Sequence, residues 1–190
     1  MTKGTQKITI EGKNTVIVEN SFLYSLEDEN KNNSDNCGIF IYYSKVRDIE
    51  FGTSSFTCKR SILNIESSSS AYKEAPIFFI TNTDVNINIE DCLFYYGSGI
   101  FLNISETLEW GASGSNGGNV TLNLIDQTIE GDFFVDNSSS LIINMINSSI
   151  IGKINTNKVS SNVDINLEGN SIINLTGNSY LSTLTNEDST

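Results

Sequence analysis

Leu122-Asn-Leu-Ile-Asp-Gln-Thr-Ile129 and Ile143-Asn-Met-Ile-Asn-Ser-Ser-Ile150 share one spacing: two apolar residues at alternate positions, a four-residue gap, then a third apolar residue. Ile165-Asn-Leu-Glu-Gly-Asn-Ser-Ile172 repeats it. Read backwards along the chain, the same frame falls on Val16, Val18 and Leu23, on Ile49, Phe51 and Phe56, and on Ile87, Ile89 and Phe94. Alternation with period two is the side-chain period of a β-strand. Its return at a fixed offset marks a repeat architecture.

The middle residues Val18, Phe51, Ile89, Leu124, Met145 and Leu167 lie 33, 38, 35, 21 and 22 positions apart, so the late repeats are compact and the early ones carry insertions. A second strand recurs inside each unit, at Gly38-Ile-Phe-Ile, Pro76-Ile-Phe-Phe, Gly99-Ile-Phe-Leu, Gly131-Asp-Phe-Phe and Gly152-Lys-Ile-Asn. Short strands separated by turns rich in Asn, Ser, Thr, Asp and Gly, with no helical periodicity, predict an all-β chain coiled as a right-handed parallel β-helix of about six turns. One turn of such a coil cannot bury its apolar side alone, whereas stacked turns bury continuous ladders, each enclosed side chain contributing ~1.5–3 kcal/mol. The expected ladders are Val16, Ile49, Ile87, Leu122, Ile143 and Ile165; Val18, Phe51, Ile89, Leu124, Met145 and Leu167; and Phe40, Phe78, Phe101, Phe133 and Ile154. In the gaps Asn20, Thr53, Asp91, Asp126 and Asn147 are placed to hold corners through their own backbone.

Insertions fall near 25–36, 66–75 and 106–118. The same early repeats place Ile39, Ile41, Ile77, Phe79, Ile100 and Leu102 at outward positions, an apolar patch of the kind that something must cover. The insertions, further turns of a parent chain or another subunit are the expected cover over Ile39, Ile77 and Ile100, with Trp110 as its anchor. Residues 1–190 read as a single domain, and Lys7-Ile-Thr-Ile and Ser179-Tyr-Leu-Ser-Thr-Leu-Thr-Asn both read as unfinished turns, which predicts a fragment of a longer solenoid.

Composition narrows the function. Of 190 residues 38% are hydrophobic and 18% charged, while Asn and Ser supply 25 and 26 positions, so the chain can build a core but its surface is polar and uncharged. There is no histidine, which removes Ser-His-Asp and Cys-His nucleophile systems and His-ligated zinc. A net charge of −12 repels phosphate backbones and anionic lipid, so nucleic acid is not an expected partner. No apolar run approaches the ~20 residues of a membrane-spanning helix. The three cysteines, Cys37, Cys58 and Cys92, lack C-x-x-C spacing and are odd in number, and read as core or turn residues.

The stretches Ile10-Glu-Gly-Lys-Asn, Phe79-Ile-Thr-Asn-Thr-Asp, Glu109-Trp-Gly-Ala-Ser-Gly-Ser-Asn-Gly-Gly-Asn-Val-Thr-Leu, Gln127-Thr-Ile-Glu-Gly-Asp and Leu175-Thr-Gly-Asn-Ser-Tyr-Leu-Ser-Thr-Leu-Thr-Asn together resemble secreted bacterial right-handed β-helix proteins of the adhesin-like, carbohydrate-binding kind. The resemblance runs from about residue 8 to 186. It implies a right-handed helix and an extracellular or cell-surface setting, and it admits polysaccharide binding, with calcium in some relatives. It carries no catalytic motif to this chain.

Candidate site residues follow from the alternation. Asn88, Asn123, Asn144 and Asn166 lie between ladder residues and so point outward, either as a self-satisfied amide stack or as a face for a polysaccharide or cell-surface glycan. Trp110 could stack on a sugar ring. Asp91 and Asp126 are candidate oxygen ligands for calcium, set against plain turn-holding roles, and no cofactor is required. The expected function is a non-catalytic surface module. The alternatives are a structural spacer of a surface fibre and a polysaccharide lyase, which would need clustered Asp and a placed base where the chain offers only Arg47 and Arg60 as arginines.

Overall fold

The computed structural model describes residues 8–25, 36–44, 49–65, 74–111, 114–160 and 162–187. Much of the two earlier insertions, and Arg47, lies outside the described residues. Within them the chain is all-β, without a helix. Its strands come in groups: β1 (Ile8–Glu11), β2 (Thr15–Glu19) and β3 (Phe22–Ser25); β4 (Ile39–Tyr42), β5 (Ser54–Lys59) and β6 (Ile62–Ile65); β7 (Phe78–Thr81), β8 (Asp84–Glu90) and β9 (Leu93–Tyr95). There follow β10 (Ile100–Ile104), β11 (Asn119–Ile125) and β12 (Thr128–Glu130); β13 (Asp132–Val135), β14 (Ser140–Ile146) and β15 (Ser149–Gly152); then β16 (Val163–Glu168), β17 (Ile172–Leu175) and β18 (Thr183–Asn186).

Most strands pair in parallel with their counterpart in the next group, and β18 pairs in parallel with β16. One sheet runs β1-β4-β7-β10-β13, a second runs β2-β5-β8-β11-β14-β16-β18, and the third side is divided into β3-β6-β9 and β12-β15-β17. This succession of parallel sheets is consistent with a parallel β-solenoid. The core lies between the sheets, because period-two alternation turns one side of every strand inward.

In the seven-stranded sheet one interior ladder is Val16, Phe56, Ile87, Leu122, Ile143 and Ile165, and the next is Val18, Cys58, Ile89, Leu124, Met145 and Leu167; their register continues onto β18 at Leu184 and Asn186, which are exposed. The second pass corrects the sequence-based assignment: Phe56 and Cys58 are buried in place of Ile49 and Phe51, and Phe51 is 66% exposed. Two alternating stretches lie close together here, and the corner that follows selects the second. Asn20, Arg60, Asp91, Asp126, Asn147 and Gly169 all sit just past this sheet with φ between 45° and 64°. That left-handed conformation suits Asn, Asp and Gly best, which is why those residues recur. Arg60, not Thr53, is the corner of the second pass. Leu63 accordingly takes the rung expected for Phe56, and the extra residue in Gly169-Asn170 places Ile173 rather than Ile172 opposite Ile150.

The five-stranded sheet brings a second correction. Ile39 aligns with Phe78 and Leu102, and Ile41 with Ile80, so Ile39, Ile41, Ile77 and Leu102 belong to the core and need no outside cover. Phe40 points outward beside Phe79. A one-residue offset in pairing exchanges the two faces of a strand, which is the whole difference between the expected and observed arrangements. An irregularity between Ile100 and Leu102 lets Phe101 and Leu102 both enter the core, while Ile100 stays partly exposed. Inside, Phe78 and Phe101 meet edge to face and Phe101 and Phe133 meet tilted, each at 5.5 Å centroid spacing, and Phe133 bridges to Ile154, completing most of the expected aromatic ladder.

Candidate functional site

The outer face of the seven-stranded sheet carries the four asparagines in one column. Thr57, Asn88, Asn123, Asn144, Asn166 and Thr185 are in register on successive strands. Asn166 Nδ2 donates to Asn144 Oδ1, Asn144 Nδ2 to Asn123 Oδ1 and Asn123 Nδ2 to Asn88 Oδ1, each at 2.8 Å, and Asn88 Nδ2 reaches Thr57 Oγ1 at 3.3 Å. Each amide has two N–H groups and two lone pairs, so every link leaves one of each unengaged by the stack. Beside the column Asn119 Nδ2 donates to Asp84 Oδ1 at 2.8 Å and Ser140 Oγ to Asn119 Oδ1 at 2.7 Å.

Two shallow grooves cross this face. One of about 240 Å³ is lined by Asp84, Asn86, Asn119, Thr121 and Ser140; the other, about 270 Å³, is lined by Asn144, Asn166, Glu168 and Glu187. Along the border nearest the corners Lys59 Nζ meets Glu90 at 2.8 Å, with Arg60 at 3.8 Å. The Lys59 hydrogen bond and charge, helped by Arg60, hold the Glu90 carboxyl below its ordinary 4.5.

Trp110 lies on a different face. Its ring packs 4.4 Å from Tyr42 and 6.2 Å from Phe40 by centroid, over the outward side of the five-stranded sheet where Phe79 and Cys37 complete the cluster. The segment is tied down by Glu106 N–H to Asp136 Oδ2 at 2.6 Å and by the buried Asn116 amide, which donates to the carbonyls of Thr107 and Trp110. The ring therefore covers Phe40 and Tyr42 rather than extending the asparagine column.

Asp91 and Asp126 occupy neighbouring left-handed corners. Among the described residues no three His, Cys, Asp or Glu side chains gather as a metal-ligand set. Other carboxylates are engaged in structural bonds: Asp164 accepts from Thr183 Oγ1 at 2.6 Å, and Asp132 pairs with Lys153 at 2.9 Å.

The residue just after each corner, displaced by one in the last pass where Asn170 intervenes, forms a column that sequence reading passed over: Ser21, Ser61, Cys92, Gln127, Ser148 and Ser171. Ser21 N–H donates to Ser61 Oγ at 3.0 Å, Gln127 N–H to Ser148 Oγ at 3.1 Å and Ser148 N–H to Ser171 Oγ at 3.2 Å. Between β9 and β12 the third side breaks into its two sheets, and Gln127 spans the break. Its Oε1 accepts from Cys92 N–H at 2.8 Å and its Nε2 donates to Cys92 O at 2.8 Å, so one buried side-chain amide replaces a missing backbone rung. A cleft of about 310 Å³ opens there, lined by Cys92, Phe94, Tyr95, Tyr96 and Glu130. Burial, with Asp132 and Glu130 nearby, pushes the Tyr96 phenol up, and its hydroxyl donates to the Glu130 carbonyl. The serine recurrence after Asn20, Arg60 and Asn147 was the available sequence signal for this column. The chain matches no protein-family model, no curated protein and no solved structure.

Proposed function

We propose that the chain is a non-catalytic right-handed parallel β-helix of about six turns, working at an extracellular or cell surface, whose seven-stranded face binds an extended polysaccharide. The observation that carries this reading is the in-register Asn88–Asn123–Asn144–Asn166 column. Its unengaged donors and acceptors recur every ~4.8 Å, close to the length of one sugar residue. The grooves at Asp84–Asn119–Ser140 and at Asn144–Asn166 continue that polar track across the face. Affinity on such a surface comes from many modest hydrogen bonds of ~0.5–1.5 kcal/mol each, without a deep pocket. Right-handedness follows the rule for parallel crossovers.

A second reading, a structural spacer of a surface fibre, is favoured by the same hydrogen bonds, because the stack satisfies itself along the axis. A glycan array and polysaccharide pull-down of the unmodified protein, compared with Asn123→Ala/Asn144→Ala, separate the two. Loss of retention in a folded double variant supports the binding face. Retention unchanged by the substitutions, or no retention of any glycan by the unmodified protein, refutes it and leaves the spacer.

A further inference from the structure

Cys58 and Cys92 come from consecutive passes of the chain and meet in the core, with Sγ atoms 2.9 Å apart. Their residues are 0% and 3% exposed. Cys92 stands in the post-corner column, where Ser21, Ser61, Ser148 and Ser171 stand in other passes. A serine could satisfy the local backbone equally well, as Ser61 and Ser148 do by donating to the carbonyl two residues earlier at 2.7 and 2.8 Å, and Cys92 Sγ reaches the carbonyl of Glu90 in the same way at 3.4 Å. What a serine could not do is bond covalently to Cys58. Cys92 also lines the cleft at the break between β9 and β12, whereas Cys58 is wholly enclosed.

We propose that Cys58 and Cys92 are a redox pair that closes into a disulfide between adjacent passes when a peroxide reaches Cys92 through the cleft. The hydrogen bond with Cys58, helped by the Ser61 backbone, outweighs burial and holds the Cys92 thiol below its ordinary 9.0, and Cys92 is the sulfur that lines the cleft. The Cys92 thiolate attacks one oxygen of hydrogen peroxide; the O–O bond breaks, and the departing hydroxide takes a proton to become water. The resulting sulfenic acid is attacked at sulfur by Cys58. The S–S bond forms as the S–O bond breaks, and the oxygen leaves as a second water with the Cys58 proton. Two thiols and one peroxide thus give one disulfide and two waters, the sulfurs losing the two electrons that the peroxide gains. A disulfide needs its sulfurs at ~2.05 Å, so closure shortens the observed 2.9 Å contact into a bond.

The test is a thiol count on the full reduced chain, folded, exposed to hydrogen peroxide, quenched and then denatured. The expected count falls from three to one, with a non-reduced digest showing Cys58 linked to Cys92. The Cys37→Ser variant should still lose two thiols. Cys58→Ser should form no link and should stop at a Cys92 sulfenic acid that dimedone traps. A folded protein that keeps three thiols, a link that involves Cys37, or oxygen added to Cys92 of the unmodified chain without any link would overturn the proposal. Because the unmodified chain and the Cys37→Ser variant both report on it, misfolding of the Cys58→Ser variant leaves the test intact.

Discussion

The asparagine column makes a quantitative prediction through a double-mutant cycle. Asn123 donates to Asn88 and accepts from Asn144, and Asn144 donates to Asn123 and accepts from Asn166. Each single alanine substitution therefore removes two side-chain hydrogen bonds, ~1–3 kcal/mol at ~0.5–1.5 kcal/mol per bond. The two substitutions share one bond, so the double variant removes three bonds rather than four. Its loss should fall short of the sum of the single losses by one bond, ~0.5–1.5 kcal/mol. Both side chains are only partly buried, so water restores some hydrogen bonding and the lower half of each range is expected. Urea denaturation followed by circular dichroism measures the cycle, provided the m-value is unchanged across the four proteins. Asn123→Ala combined with Thr185→Ala, which share no bond in the column, should be additive. Additivity within ~0.3 kcal/mol for Asn123 and Asn144 would refute the stack as a coupled unit.

Ile143, fully enclosed between Leu122 and Ile165 on neighbouring strands, should cost ~2–5 kcal/mol on Ile143→Ala, and a loss below ~1 kcal/mol in the same titration would remove it from the core. Arg60 holds the left-handed corner with φ 45°, and its exposed ion pair with Glu90 contributes little, so Arg60→Gly should raise stability by ~1 kcal/mol; a lower denaturation midpoint would contradict that account. Lys59→Ala should raise the Glu90 pKa towards 4.5 in an NMR titration. Because the folded pKa is depressed, the stabilisation from this pair is present above pH 4.5 and fades as pH falls through the folded value, and the variant should lose that part of the acid dependence.

Alternation made most of the fold legible, since period two is imposed by the backbone wherever one strand face is buried. It located Ile87, Leu122, Ile143 and Ile165, and with them the outward Asn88, Asn123, Asn144 and Asn166, on shared rungs. It failed where two registers were locally equivalent. Ile49-Glu-Phe51 and Phe56-Thr-Cys58 alternate equally well, and only the corner at Arg60 and the pairing with β8 decide between them. Phe40 and Ile39 differ by one position, and only pairing with Phe79 and Phe78 assigns their faces.

The sequence by itself determined the parallel stacking, the interior ladders of the late repeats and the corners at Asn20, Asp91, Asp126 and Asn147, because these follow from local periodicity and from the φ that each residue tolerates. Tertiary structure alone decided the rest. Trp110 covers Phe40 and Tyr42, Gln127 bridges to Cys92, and Cys58 meets Cys92 across 34 positions of sequence. Each of these depends on how far one pass is offset from the next, and that offset is fixed by packing and hydrogen bonding between passes, which no single stretch of the chain contains.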